Sequence, residues 1–160
     1  MDLGEAERLF RDHGHVVLRR ARRLLRSEED AREALQDIFA TLLGAARPFA
    51  GRSSATTFLY AVTTNYCLQR IRDRRRRERL LRERGPAPSS TEGGRAEAAA
   101  VVTQLLAKMP EELAPVVVYY YLDQMSQEEI AAVLGCSRRH VGDLLEAGRA
   151  WIAENERRVA

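Results

Sequence analysis

Rings, amides, hydroxyls and guanidiniums converge on one stretch, Ser53 to Arg84. It opens with Phe58, Leu59, Tyr60, Val62, Tyr66, Leu68 and Ile71, and carries the Thr63 and Thr64 hydroxyls and the Asn65 amide. It then becomes an arginine run, Arg72-Asp73-Arg74-Arg75-Arg76-Arg77-Glu78-Arg79-Leu80-Leu81-Arg82-Glu83-Arg84. Rings that stack on bases, beside cations that neutralise phosphates, are what a single-strand or opened-duplex binder needs. Eight arginines against three acids give Arg72 to Arg84 a local charge of +5, in a chain of 160 residues whose net charge is only +3. That asymmetry is an electrostatic footprint for nucleic acid. On charge alone, a solvated helix end fits as well.

Other chemistry is poorly provided for. There is no Gly-rich phosphate loop and no nucleophile elbow, and the carboxylates fall at helix starts or opposite arginines. Cys67 and Cys136 are far apart, and His13, His15 and His140 are scattered, so no metal, cofactor or disulfide framework is expected. The chain reads as a non-enzyme from a reducing compartment. Its start, Met1-Asp2-Leu3-Gly4-Glu5, is acidic and unlike a signal peptide. No apolar run approaches the ~20 residues of a membrane span. A cytoplasmic protein without membrane insertion is expected.

The elements that must position these residues read as all-α. Leu9, Phe10, Val17, Ala21, Leu24 and Leu25 follow helical spacing over Glu5 to Arg26, with Gly14 a point of bending or breakage. Ser27 suits an N-cap, followed by Glu28, Glu29 and Asp30 at the positive end of the helix dipole. That helix carries an apolar stripe (Ala31, Ala34, Leu35, Ile38, Leu42), with Phe39 at its side and Gln36 and Asp37 off it, and ends at Gly44. Pro48 and Gly51 mark a loop. Neither Pro nor Gly interrupts Ser53 to Arg84, which reads as one helix roughly 45 Å long.

Gly85 to Gly94 is dominated by Gly, Pro and Ser, without a large apolar residue. Ten such residues behave as a flexible coil spanning roughly 17 Å. Two small helical domains on a tether are therefore expected: residues 1–84, a linker at 85–95, and residues 96–160. In the second, Ala98 to Lys108 reads as helix, Pro110 suits a first helical position, and Leu113 to Leu122 reads as the next helix despite its strand-like valines and tyrosines. Ser126-Gln127-Glu128-Glu129 is a capping box. Ile130, Ala131 and Leu134 continue the inner face, Gly135 turns the chain, and Ser137 caps a further helix bearing Val141, Leu144 and Leu145. This is the pattern of a helix-turn-helix, with Arg138 to Leu145 as recognition helix.

The motifs resemble those of the extracytoplasmic-function (ECF, group IV) sigma factors of bacterial RNA polymerase. Glu29-Asp30-Ala31 with Gln36-Asp37-Ile38-Phe39, Ser53 through Asn65, Met109-Pro110-Glu111-Glu112-Leu113, and Ser126 through Ser137 occur in the family's order across a linker. The resemblance implies a sigma region 2 domain that binds core polymerase and melts the minus-ten element, and a region 4 domain that reads the minus-thirty-five element. The partners it implies are the polymerase clamp helices and flap, promoter DNA and, for many members, an anti-sigma factor. Asp30, Gln36, Asp37 and Phe39 would face polymerase. Phe58, Tyr60, Thr64 and Asn65 would lie near the melted strand, and Arg72, Arg74, Arg75 and Arg76 would hold phosphates. Ser137, Arg138, Arg139 and His140 would meet the upstream element.

The sequence departs from the family pattern in the recognition helix. Gly142, Leu144 and Gly148 stand where basic residues are usual, and Arg138 and Arg139 are balanced by Asp143 and Glu146. Phosphate neutralisation supplies most non-specific affinity, so weak upstream binding is expected of this domain alone. The alternative is a degenerate sigma homologue or helix-turn-helix regulator that acts through protein contacts, such as anti-sigma binding, without initiating transcription.

Overall fold

The computed structural model of the protein describes residues 2–44, 54–85 and 94–159. The expected loop at 45–52 and most of the expected linker lie outside the described residues. Within them the chain is helical and has no strand. The elements are α1 (Leu3–Leu25), α2 (Glu28–Gly44), α3 (Ala55–Arg82), α4 (Gly94–Lys108), α5 (Ala114–Val117), a π-helical turn (Val118–Leu122), α6 (Gln127–Leu134) and α7 (Arg138–Val159). The chain divides into two compact units, one of Met1–Cys67 with Ala132–Gly135, the other of Leu68–Ala131 with Cys136–Ala160.

In the first unit α1 and α2 pack as a helical hairpin. Arg26 takes the left-handed conformation (φ 55°), and its N–H caps the Arg22 carbonyl. Ser27 Oγ accepts from the Asp30 N–H at 3.2 Å, which starts α2 one residue later. The junction is clasped by Glu28, which accepts from Arg22 at 2.6 and 2.7 Å and from Arg32 at 3.0 Å. The hydrogen bond from Arg22 holds the Glu28 carboxyl below its ordinary range. Val17, Ile38, Phe39, Leu42 and Leu59 form the buried centre, with Leu9, Leu35, Phe58, Val62 and Tyr66 packed against it. α1 runs through Gly14 without a break: the residue is buried, and the Phe10 ring covers it. The expected bend or break does not occur, and a Cβ at Gly14 would meet that ring at 3.7 Å, an ordinary van der Waals contact that does not demand glycine.

The second unit is built on Leu106, Met109, Leu113, Ala114, Val116, Val117, Val118, Tyr119, Ile130, Ala131, Val141 and Leu145, all buried. The single helix expected over Leu113 to Leu122 is instead one turn of α-helix followed by a π-helical turn. Val116 to Tyr119 are buried without interruption, so the segment cannot keep one apolar stripe, and the wider turn distributes its side chains around a core. The capping box forms at both ends: Ser126 N–H donates to Glu129 Oε2 at 2.7 Å and Glu129 N–H to Ser126 Oγ at 3.2 Å. Gly135, at φ +66°, makes the turn between α6 and α7.

Candidate nucleic-acid and polymerase interface

α3 is continuous for 28 residues. At 100° per residue, Phe58 and Tyr60 point to opposite sides of it. Phe58 follows the Val62 and Tyr66 side into the core, half-buried. Asn65, Gln69 and Arg76 form one exposed stripe, in which Gln69 donates to Asp73 at 3.1 Å.

Tyr60 belongs to a different group. Arg20 of α1, only 4% exposed, lays its guanidinium carbon 4.3 Å from the centroid of the Tyr60 ring. The same guanidinium donates from Nε and Nη2 to Thr64 Oγ1 at 3.2 and 3.1 Å. Thr64 is buried, and its hydroxyl donates to the Tyr60 carbonyl at 2.8 Å. A desolvated cation–π contact is worth about 2 kcal/mol, and a hydrogen bond to a charged group about 1.5–3 kcal/mol. The structure thus brings Tyr60 and Thr64 together around Arg20, apart from Phe58 and Asn65. Sequence reasoning overlooked Arg20, although a signal existed: it lies on the apolar stripe of Val17, Ala21 and Leu24, at the i, i+3, i+4, i+7 spacing of buried positions.

The arginine run divides likewise. Arg72 (side chain 16% exposed) donates to the Met109 carbonyl at 3.4 Å and lies 3.8 Å from Glu111. Arg75, half-buried, donates to the Gln104 carbonyl at 3.3 Å. Both guanidiniums thereby meet the negative end of α4. Arg74, exposed, pairs with Glu78 at 3.3 Å, and Arg76 is exposed.

On α2, Gln36 and Asp37 are exposed and Asp30 is half-buried. Asp37 accepts from the Tyr66 hydroxyl at 2.5 Å, a link from α2 to α3. Phe39 is buried in the core, its ring edge-on to the exposed Phe10 at 5.0 Å.

Across the helix-turn-helix, Ser137, Arg138, Arg139 and His140 are exposed. Ser137 Oγ accepts from the His140 N–H at 3.1 Å, capping α7. Arg138 is held 2.9 Å from Glu128 of α6. Leu144 and Gly142 are half-buried and Gly148 is buried, so three positions where basic residues would be usual in the resembled family face inward to different degrees.

Comparison with known proteins agrees with this architecture. The Sigma-70 region 2 family model matches residues 9–77, and the Sigma-70 region 4 model matches residues 99–152. The ECF RNA polymerase sigma factor SigM of Mycobacterium tuberculosis, from strains Erdman and H37Rv, is 28% identical over 147 residues, 92% of this chain and 74% of the relative. The structure of CnrH in complex with the cytosolic domain of CnrY has the same fold, with a TM-score of 0.55 and 23% identity, covering 99% of this chain and 92% of that one. The two family regions occur in order and together span more than three quarters of the sequence, and the chain belongs to the sigma-70 family, whose members direct RNA polymerase to promoters.

Proposed function

We propose that the chain is an ECF, group IV sigma factor that acts in the cytoplasm by binding rather than catalysis. Residues 1–84 form its region 2 domain, residues 85–95 a tether and residues 96–160 its region 4 domain. Gln36 and Asp37, with Asp30 beside them, meet the clamp helices of core polymerase. Phe39 and Phe58 support those surfaces from within the core. Asn65 and the cations Arg74 and Arg76 meet the strand exposed at the minus-ten element, while Tyr60 and Thr64 shape α3 from its inner side. Arg72 and Arg75 reach phosphates when they leave the α4 carbonyls. Arg138, Arg139, His140 and the Ser137 cap face the upstream element, and the region 4 domain also touches the flap. An anti-sigma factor is a further partner of the kind this family uses.

The observation that carries this reading is the exposed Asn65, Gln69 and Arg76 stripe on an uninterrupted helix whose root is fixed in a core. A base has an amide to meet there, and a phosphate has a guanidinium. No described helix is long and apolar enough to cross a membrane, which fits a protein working beside polymerase and DNA.

The test is reconstitution with bacterial core polymerase and run-off transcription from the gene's own promoter. A stable complex and a discrete transcript are expected. Core binding without any transcript would support a sigma homologue acting through protein contacts alone, and no core binding would overturn the reading.

A further inference from the structure

A charged side chain, Arg20, is buried in the first unit. It stands on the buried stripe of α1 with Val17, Ala21 and Leu24, and is only 4% exposed. Burying a charge is costly unless it is well partnered. Arg20 meets one short piece of α3 twice, at the face of the Tyr60 ring and at the Thr64 hydroxyl, one helical turn apart. Thr64 passes the contact on to the Tyr60 carbonyl. The ring and the hydroxyl approach the guanidinium from different directions, so the contact fixes the rotation of α3 about its own axis as well as its distance from α1. An apolar contact is non-directional and could not fix that rotation as tightly.

We propose that Arg20 is a positioning residue for promoter opening. It touches no DNA. By locking the phase of α3 at Tyr60 and Thr64, it aims the stripe that begins one residue later at Asn65 and continues through Gln69 and Arg76. A rotation of about 20–30° there would sweep the Asn65 amide, roughly 6 Å off the helix axis, by roughly 2–3 Å, which takes it out of hydrogen-bond reach of an unpaired base. This rests on the reading of α3 as the strand-opening helix.

The experiment uses the full chain, wild type and Arg20→Met, Arg20→Lys and Tyr60→Leu, with core polymerase on a promoter that the wild-type holoenzyme transcribes. Two templates are compared, duplex and one pre-opened by a mismatched bubble over the minus-ten element. Arg20→Met should lower run-off from the duplex about tenfold, the scale of one lost charge-assisted hydrogen bond. On the pre-opened template it should stay within about twofold, as expected for a defect confined to opening. Arg20→Lys, which retains the charge over the ring, should recover part of the loss. Permanganate reactivity of promoter thymines should fall in parallel on the duplex.

A denaturant double-mutant cycle between Arg20→Met and Tyr60→Leu checks the contact without DNA, and non-additive effects are expected. Equal losses on the two templates would mean a merely structural role and overturn the proposal, as would additive effects in the cycle. Duplex run-off and permanganate reactivity left at wild-type levels by Asn65→Ala and Arg76→Ala together would overturn the strand-opening reading itself, whatever the cycle shows. The two failures are therefore distinguishable.

Discussion

Gly148 of α7 lies so close to Val117 of α5 that a Cβ at residue 148 would come within 2.9 Å of Val117 Cγ2. The glycine is buried at the crossing of the two helices, and Val117 is β-branched and stiff. A position that reads by resemblance as a lost phosphate contact is therefore a packing requirement. Gly148→Val should destabilise the second unit by about 1–3 kcal/mol through overpacking. The urea midpoint should fall accordingly; an unchanged or higher midpoint would show that the crossing has room.

The α2 surface separates support from contact. Gln36→Ala and Asp37→Ala remove exposed groups and should leave thermal stability nearly unchanged, apart from the Tyr66 hydrogen bond lost with Asp37. Each should weaken core polymerase binding by about five- to tenfold, the scale of a significant interface side chain. Phe39→Ala removes a buried ring and should cost about 3–5 kcal/mol of stability. Competition binding alongside denaturant melts distinguishes the two classes. If Gln36→Ala and Asp37→Ala both bind core as wild type does, this face is not the polymerase surface.

Local signals made much of this fold legible. Ser27 and Gly44 bracket α2, and Ser126 and Glu129 start α6 at the expected residue. The break-free run of α3 also reads directly from its lack of Pro and Gly. The π-helical turn was hidden because Val116 to Tyr119 are apolar on every side, and such a run reports burial without reporting period. The candidate site was legible in composition but not in its faces. Phe58 and Tyr60 share a chemistry and stand two residues apart, yet helix geometry separates them. Glu111, the Met109 carbonyl and Glu128 are brought to Arg72 and Arg138 by tertiary folding, which no local pattern encodes.

That separation of faces predicts different defects for two residues of one motif. Asn65 is exposed, so Asn65→Ala should shift stability by less than about 0.5 kcal/mol. It should reduce promoter opening roughly tenfold, the loss of one well-placed hydrogen bond to an unpaired base. Phe58 is packed on the core, and Phe58→Ala should cost about 2–4 kcal/mol and weaken every activity together. Permanganate footprinting at matched holoenzyme occupancy separates the two. Equal loss of core binding and opening in Asn65→Ala would contradict its assignment to the strand.

The capping box at α6 makes a prediction about acid. Backbone and side-chain hydrogen bonds from Ser126 hold the Glu129 carboxyl below its ordinary range. A carboxyl with a depressed folded pKa contributes stability that is fully present above its unfolded value. That contribution is lost as pH falls through the folded value, which lies on the acid side of the ordinary glutamate range. Ser126→Ala should cost about 1 kcal/mol at neutral pH, as for other N-cap serines. Glu129→Gln should flatten the decline in melting temperature on acidification. An acid limb identical to wild type would show that the box does not form in solution.

Arg138 should be a weaker DNA contact than its position suggests, because Glu128 holds it at 2.9 Å on the same exposed surface. Both side chains are more than half exposed, so the pair adds little to stability and its rupture should leave the fold intact. For DNA, however, the pair matters, since a guanidinium sharing its charge with a carboxylate releases fewer counterions when it meets a phosphate. Glu128→Gln should tighten duplex binding and steepen the dependence of log K on log salt by up to about one, the contribution of one added phosphate contact. Arg138→Ala should remove that gain when combined with Glu128→Gln, which separates the pair from a general change in charge. A salt slope unchanged by Glu128→Gln would mean that this end of α7 does not face the phosphate backbone, and that the upstream element is met by other residues of the second unit.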